Sequence, residues 1–351
     1  MIIAAVILGL AVLVLVHELG HFVAAKWFGV KVEEFGIGYP PKIVWKKIGE
    51  TVYSLNLLPL GGFVRIHGED EGEGTGAALE EGRGFIHKAA WKRAVILLAG
   101  VTMNVFAGWI IFSVVFMIGS PQHLMISGVS EGSPAAAEGI ALGDIIMRAE
   151  FGSVAMDDPI RVDAFIAAVK EANGNRIALS LVRNGETREV TLMPRVNPPE
   201  GQGALGVELA DAGFPRESFF AAIADGFTTT FSVLWMTIKG FIMLILGVFT
   251  EPRTALQGVA GPIGIFTLAA ETGKIGFTYL AQLIGFISIN LAVLNLIPFP
   301  ALDGGRVLFL LIEKIKGKPI SSRSQRMVNA TGFVLLILLM ILVTIHDVRK
   351  M

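Results

Sequence analysis

The chain has 351 residues, a formal net charge of −1 and no cysteine. The missing cysteines exclude disulfides, thiolate metal sites and cysteine nucleophiles, so a bound metal would take nitrogen and oxygen ligands. With 53% hydrophobic and only 17% charged residues, and a mean hydropathy of +0.65, the composition is that of a membrane protein. The near-neutral charge argues against a nucleic-acid surface.

In chain order, Met1–Ala25 is apolar with no basic residue before it, and reads as a retained membrane helix rather than a cleaved signal. Lys31–Ile66 carries short β-prone runs, Lys42–Trp45, Thr51–Leu55 and Phe63–Ile66, between Gly and Pro signals, which predicts a small sheet or re-entrant hairpin. Glu69–Gly84 is acidic and Gly-rich and reads as a loop. Ala94–Ile118 is the second predicted span. Met125–Val196 alone has soluble-domain character, with a helical pattern at Arg161–Ala172 and two β-prone runs, Arg176–Arg183 and Thr187–Leu192, around the hairpin signal Asn184-Gly185. Asn197–Pro215 reads as a linker. Phe219–Phe249 is apolar but carries Asp225, Lys239 and Gly240, and is expected to be an amphipathic helix on the membrane surface or partly inserted. Tyr279–Ile297 and Met327–Ile345 are the third and fourth spans.

Lys and Arg orient these spans. Ten lie in Lys26–Arg93 and six in Arg306–Arg326, with none from Gly119 to Met147. The positive-inside rule then puts the two basic stretches in the cytoplasm and Met125–Val196 outside.

The chemistry sits at His17-Glu18-Leu19-Gly20-His21. On a helix, residues four apart share a face, so both imidazoles can meet one zinc while Glu18 takes a proton from water. Sixteen residues precede His17, which puts the motif about 24 Å along the helix, near the cytoplasmic edge of the hydrocarbon. Two His and a Glu there cost several kcal/mol unless paired or metal-bound. The bland alternative is a helix end whose polar side chains reach the interface.

A catalytic zinc needs a third protein ligand and an open position. Asp303 follows the third span, on the cytoplasmic side, after the helix-breaking Pro298 and Pro300. The alternative for Asp303 is a helix cap. His123 and His346 fall on the outer side, and His67 and His87 read as solvated loop residues. Asn104, Asn290 and Asn295 are amides in apolar helices, where helix–helix hydrogen bonding is the ordinary role. Asn104 is read that way, and Asn295, about two turns before Asp303, is as well suited to contact substrate.

These motifs resemble the site-2 proteases, the intramembrane zinc metalloproteases, in their bacterial RseP-like branch. His17–His21 matches the family's first motif and Leu302-Asp303-Gly304 its second. Pro59-Leu60-Gly61-Gly62-Phe63-Val64 is similar to the family's membrane-associated β-element, and Val259-Ala260-Gly261-Pro262-Ile263 to another family segment. Met125–Val196 is similar to a PDZ domain through Gly132-Ser133-Pro134-Ala135 and Gly143-Asp144. Two departures stand out: Gly100-Val101 replaces the usual Gly-Pro pair, and one PDZ-like domain is evident instead of two.

The resemblance implies a polytopic α-helical membrane protein with four transmembrane helices, a membrane-associated β-element and one inserted α/β PDZ-like domain. Its expected parts are a membrane core in 1–119, the PDZ-like domain in 120–200, a linker with an amphipathic helix in 201–278, and a second core part in 279–351. It further implies one zinc on His17, His21 and Asp303, with Glu18 as the base. Gly61, Gly62, Phe63, Asn290 and Asn295 are its substrate-contacting residues. Expected partners are single-pass transmembrane proteins such as anti-sigma factors or remnant signal peptides, lipid, and a peptide C-terminus at the PDZ-like domain. The expected location is the bacterial inner membrane. The rivals are a catalytically inactive membrane-tethered PDZ adaptor and a metal transporter.

Overall fold

The computed structural model describes residues 2–69, 82–120, 122–183, 186–199, 201–250, 261–318 and 320–350. They form two compact units. One comprises Met1–Val114, Ile223–Ala270 and Leu280–Met351, and the other Val115–Ala222 with Glu271–Tyr279.

The first unit is helical with one sheet. Helix α1 (Ile2–Trp27) leads into strands β1 (Val32–Ile48) and β2 (Thr51–Ile66), then α2 (Ala90–Ile118). The sequence reading had short strands here; the structure has two long antiparallel ones, because each bends and pairs twice. Residues 32–37 of β1 pair on one side with Gly62–Ile66 and on the other with Val52–Leu55, while Lys42–Ile48 pairs back on Thr51–Asn56. The bends fall at Gly38 (φ +76°) and Gly61 (φ +109°), backbone regions that a β-carbon disfavours. The result is four sheet segments, with Gly61–Ile66 at one edge and Lys42–Ile48 at the other. Glu34 anchors the middle. It is buried, and it accepts from Ser54 at 2.7 Å and from Lys42 at 2.8 Å.

The second unit is a six-stranded antiparallel sheet. Its strands are β3 (His123–Val129), β4 (Ile145–Phe151), β5 (Val154–Asp157), β6 (Ile177–Arg183), β7 (Glu186–Leu192) and β8 (Val207–Ala212), with helices α3 (Pro134–Ala137) and α4 (Val162–Ala172). The order is β7-β6-β4-β3-β8, and β5 pairs with β4. Asn184-Gly185 lies outside the described residues, but β6 and β7 pair in register up to Arg183 and Glu186 on either side of it. Val207–Ala212 was expected to be linker; it is a strand because its backbone pairs along β3 from His123 to Val129. The core is apolar, with Leu124, Ile126, Ile146, Phe165, Ile177 and Leu179 shut off from solvent.

The chain continues through α5 (Phe219–Thr250), α6 (Pro262–Ile275), α7 (Phe277–Leu296), α8 (Asp303–Lys316) and α9 (Ser322–Lys350). Residues 70–81 of the acidic loop and Val259-Ala260 lie outside the described residues. Among the described residues, five helices are long and apolar enough to cross a membrane: Ala4–Trp27, Ala90–Ile118, Phe219–Gly247, Phe277–Leu296 and Arg323–Ile345. Length and composition therefore do not separate Phe219–Gly247 from the four spans read in the sequence.

Glycines let the helices of the first unit approach closely. A β-carbon on Gly20 would strike the backbone carbonyl of Ala99 on α2, and one on Gly108 would lie 2.5 Å from Ile289 on α7. Ser288 on α7 donates to the carbonyl of Asn104 on α2 at 2.8 Å.

Candidate active site

His17 and His21 lie one turn apart on α1, both buried, with ring centroids 4.8 Å apart and edge to face. Asp303 reaches them from 286 residues away in sequence. Its Oδ2 lies 3.0 Å from His17 Nε2 and 3.3 Å from His21 Nε2, and the two Nε2 atoms are 3.2 Å apart.

Asp303 owes its position to a tight reversal. The chain leaves α7, passes Pro298 and Pro300, takes Ala301 through φ +77°, and enters α8 at Asp303. Gly304 and Gly305 make this feasible: a β-carbon on Gly304 would overlap the carbonyl oxygens of Leu296 and Ile297, and one on Gly305 that of Phe299. Two polar ties then hold α8. Arg306 pairs with Glu69, and Glu313 accepts from Arg93 on α2 at 3.2 Å and from the Ile320 amide at 3.1 Å.

Helix α2 backs the imidazoles along a stripe of residues four apart. The Ile96 carbonyl accepts from His21 Nδ1 at 2.8 Å. Gly100 leaves the floor open; a β-carbon there would stand 2.5 Å from His21 Nε2 and 2.7 Å from His17 Cε1. The Asn104 amide lies 3.2 Å from His17 Nδ1. Neither Ile96 nor Gly100 was singled out in the sequence as part of the site, and Asn104 was read as helix packing.

Glu18 lies beside the triad and accepts from the Val64 amide at 3.0 Å. That amide belongs to the edge segment of β2. Gly62 is close by: a β-carbon on it would come 3.9 Å from Glu18 Cγ and 2.9 Å from the Gly36 carbonyl. Gly61 faces Val14 of α1 and Tyr39, and Phe63 stacks on Tyr39 with centroids 6.4 Å apart. Asn290 is spent within its own helix, donating to the Phe286 carbonyl at 2.8 Å, and Asn295 is half-buried on the last turn of α7. No contact of either asparagine with the triad is seen among the described residues. His67 pairs with Glu33 at 2.7 Å and His123 with Asp158 at 2.8 Å, away from the cluster.

Two imidazole nitrogens and a carboxylate oxygen fit a divalent ion. Ligand atoms about 2.0–2.1 Å from a tetrahedral zinc stand roughly 3.3 Å from one another; here they stand 3.0, 3.2 and 3.3 Å apart. As ligands, these three would leave a fourth corner for water, the pattern of a catalytic rather than a structural zinc. Among the described residues this is the one His/Asp/Glu group of three that meets as a metal cage.

The profile of Peptidase family M50 matches residues 5–339. A candidate zinc metalloprotease of Clostridium acetobutylicum is 34% identical, covering 97% of this chain and 96% of its own. Zinc metalloprotease RasP of Geobacillus kaustophilus is 29% identical, covering 96% and 95%. The regulator of sigma-W protease RasP of Bacillus subtilis is 28% identical, covering 97% and 96%. Family match and whole-length relatives agree with the cluster that α1 and the start of α8 bring together, and the chain belongs to peptidase family M50, the site-2 proteases, as a zinc metalloprotease.

Proposed function

We propose that the protein cleaves the membrane-spanning segments of other proteins, using one zinc held by His17, His21 and Asp303 and Glu18 as the proton carrier. The observation that carries this reading is the convergence of three metal-type ligand atoms, with a carboxylate beside them, at the end of a helix apolar enough to cross a bilayer.

Zinc bound in this cage supplies Lewis acidity, lowering the pKa of water towards about 7 and polarising the peptide carbonyl. The chain's own residues do the rest. Val64 N–H holds one Glu18 oxygen and leaves the other to take a proton from the attacking water. Glu18 then passes that proton to the departing amine. The two histidines and Asp303 keep their ligand atoms within 3.3 Å of one another, because α2 and the Gly304-Gly305 reversal fix their supports.

A helical substrate hides its peptide bonds, so it must unwind before it is cut. The Gly61–Ile66 edge of the sheet suits strand addition, which would hold the peptide extended beside Glu18. Gly61, Gly62 and Phe63 are its proposed contacts, and Asn290 and Asn295 are proposed for the far side of the cleft.

Four crossings are proposed, with α5 lying at the membrane surface. Val6 packs with Leu280 and Gly9 approaches Ile284, so α7 runs parallel to α1. Ser288 meets Asn104 and Gly285 meets Phe112, so α7 runs antiparallel to α2. The chain must then return to the side it left before α7 begins, and a single crossing by α5 breaks that parity. Charge supports a cytoplasmic metal site and an outer sheet unit, read as a PDZ-like domain that takes peptide C-termini. One relative is named as a regulator of sigma-W, which favours a membrane anti-sigma factor as the substrate.

The test pairs metal analysis with cleavage of a reporter transmembrane peptide by the purified full chain. One zinc per chain and chelator-sensitive cleavage are expected, with zinc lost in Asp303→Ala. Cleavage that persists in Asp303→Ala would end this reading. An inactive adaptor would bind the peptide without cutting it, and a transporter would move metal across sealed vesicles.

A further inference from the structure

Asn104 has a buried side chain whose Nδ2 lies 3.2 Å from His17 Nδ1, while its Oδ1 is buried without a partner among the described residues. A donor facing Nδ1 needs a lone pair on that nitrogen, and a neutral imidazole then carries its proton on Nε2. That tautomer suits the contact of Nε2 with Asp303, but it cannot coordinate metal through Nε2. For Nε2 to be a ligand, the proton must sit on Nδ1, and Nδ1–H must then find an acceptor.

His21 has such an acceptor in the Ile96 carbonyl, fixed in the backbone. His17 has no backbone carbonyl in that role among the described residues; the group at its Nδ1 is a primary amide, which offers a donor on one side and an acceptor on the other. A half-turn of the amide exchanges them.

We propose that Asn104 is a positioning residue that serves both tautomers of His17. Its NH2 faces Nδ1 in one orientation of the amide; in the other its carbonyl accepts from Nδ1–H, which leaves Nε2 free to bind metal. The two ligands thus have unequal supports: His21 rests on a backbone carbonyl, and His17 on a side-chain amide that can face it either way. This inference rests on His17, His21 and Asp303 being the zinc site.

Zinc affinity of the full-length protein, measured by chelator competition, separates the possibilities. Asn104→Leu keeps the volume but removes the acceptor, and zinc affinity is expected to fall about 10–100-fold, as for lost supports of metal-bound histidines. Asn104→Asp restores an acceptor and is expected to recover most of that loss. A packing role predicts the reverse order, with Leu tolerated and Asp not, and that order would overturn the proposal. Because Asp at a buried position can fail to fold, a second measurement uses the unaltered protein: ¹⁵N-histidine spectra of the zinc-loaded chain. A protonated, slowly exchanging Nδ1 on His17 is expected, and metal on Nδ1 would also overturn the proposal. If the unaltered protein binds no zinc, the site assignment itself falls. Zinc held equally by wild type and Asn104→Leu refutes the role of Asn104 alone.

Discussion

The two units differ in what they turn outward. The sheet unit hides Leu124, Ile126, Phe165 and Leu179 in an apolar core. The helical unit leaves Leu8, Val12, Phe333 and Leu338 on its surface and buries His17, His21, Asn104 and Ser288. Apolar side chains outward and polar groups inward is what a hydrocarbon solvent selects, because apolar side chains gain nothing by hiding from lipid. Polar groups at that depth must find partners inside the protein. Both units have apolar clusters, and the helical one adds polar groups that satisfy one another around His17, His21 and Asp303.

The largest test of that contrast is Glu18→Gln. It is expected to lower peptide cleavage by about 10²–10⁴-fold while zinc content stays at the wild-type level. Normal turnover by this variant would remove Glu18 from the chemistry. Next comes Asp144, fully buried in the sheet unit, which accepts from Arg183 at 2.5 and 2.7 Å and from the Ala141 amide at 3.0 Å. Asp144→Ala is expected to destabilise that unit by about 3 kcal/mol, the low end for a broken buried pair because Arg183 is a third exposed. Limited proteolysis should find β3–β8 loosened and zinc content unchanged. Zinc loss in this variant would show that the two units do not stand on separate supports.

Gly100→Ala probes the cage from below. The added methyl must displace an imidazole, at a cost of about 1–3 kcal/mol, and zinc affinity should drop while the sheet unit melts as before. Unaltered zinc affinity would mean the rings have room that the 2.5 Å approach denies.

The smallest effect is expected at Glu34. Burial pushes its carboxyl up, but hydrogen bonds from Lys42 and Ser54 outweigh burial and leave it below the ordinary value of 4.5. A depressed folded-state pKa adds stability above the unfolded value, and that stability is lost as pH falls through the folded one. The β1–β2 sheet should therefore weaken below about pH 4.5. Hydrogen exchange of its amides would show this, and Glu34→Gln should flatten that pH dependence.

The cluster of His17, His21 and Asp303 was legible in the sequence because local rules govern it. His17 and His21 are four apart on a helix, and Asp303 stands just after two helix-breaking prolines. What stayed hidden depends on tertiary register. Gly100 and Asn104 act only because α2 lies antiparallel to α1 with residue 96 opposite 21 and 104 opposite 17. Nothing local distinguishes such an amide from one that glues helices together. Strand β8 was missed because Pro and Gly surround Val207–Ala212, and only its pairing with β3 reveals it. The long β1 and β2 were read as short runs because their bends at Gly38 and Gly61 look like ends.

Among the described residues, Glu18 is tied to the backbone of Val64 rather than to any side chain. On the proposed reading, the proton carrier and the sheet edge then form a single ruler. A peptide lying along that edge advances about 3.4 Å per residue and repeats its backbone pairing every second residue. Alternative cuts in one substrate should therefore fall two residues apart, not one. The bond chosen should follow its distance from where the peptide first lies down, so that inserting two residues upstream shifts the cut, while exchanging side chains of similar size at the bond leaves it in place.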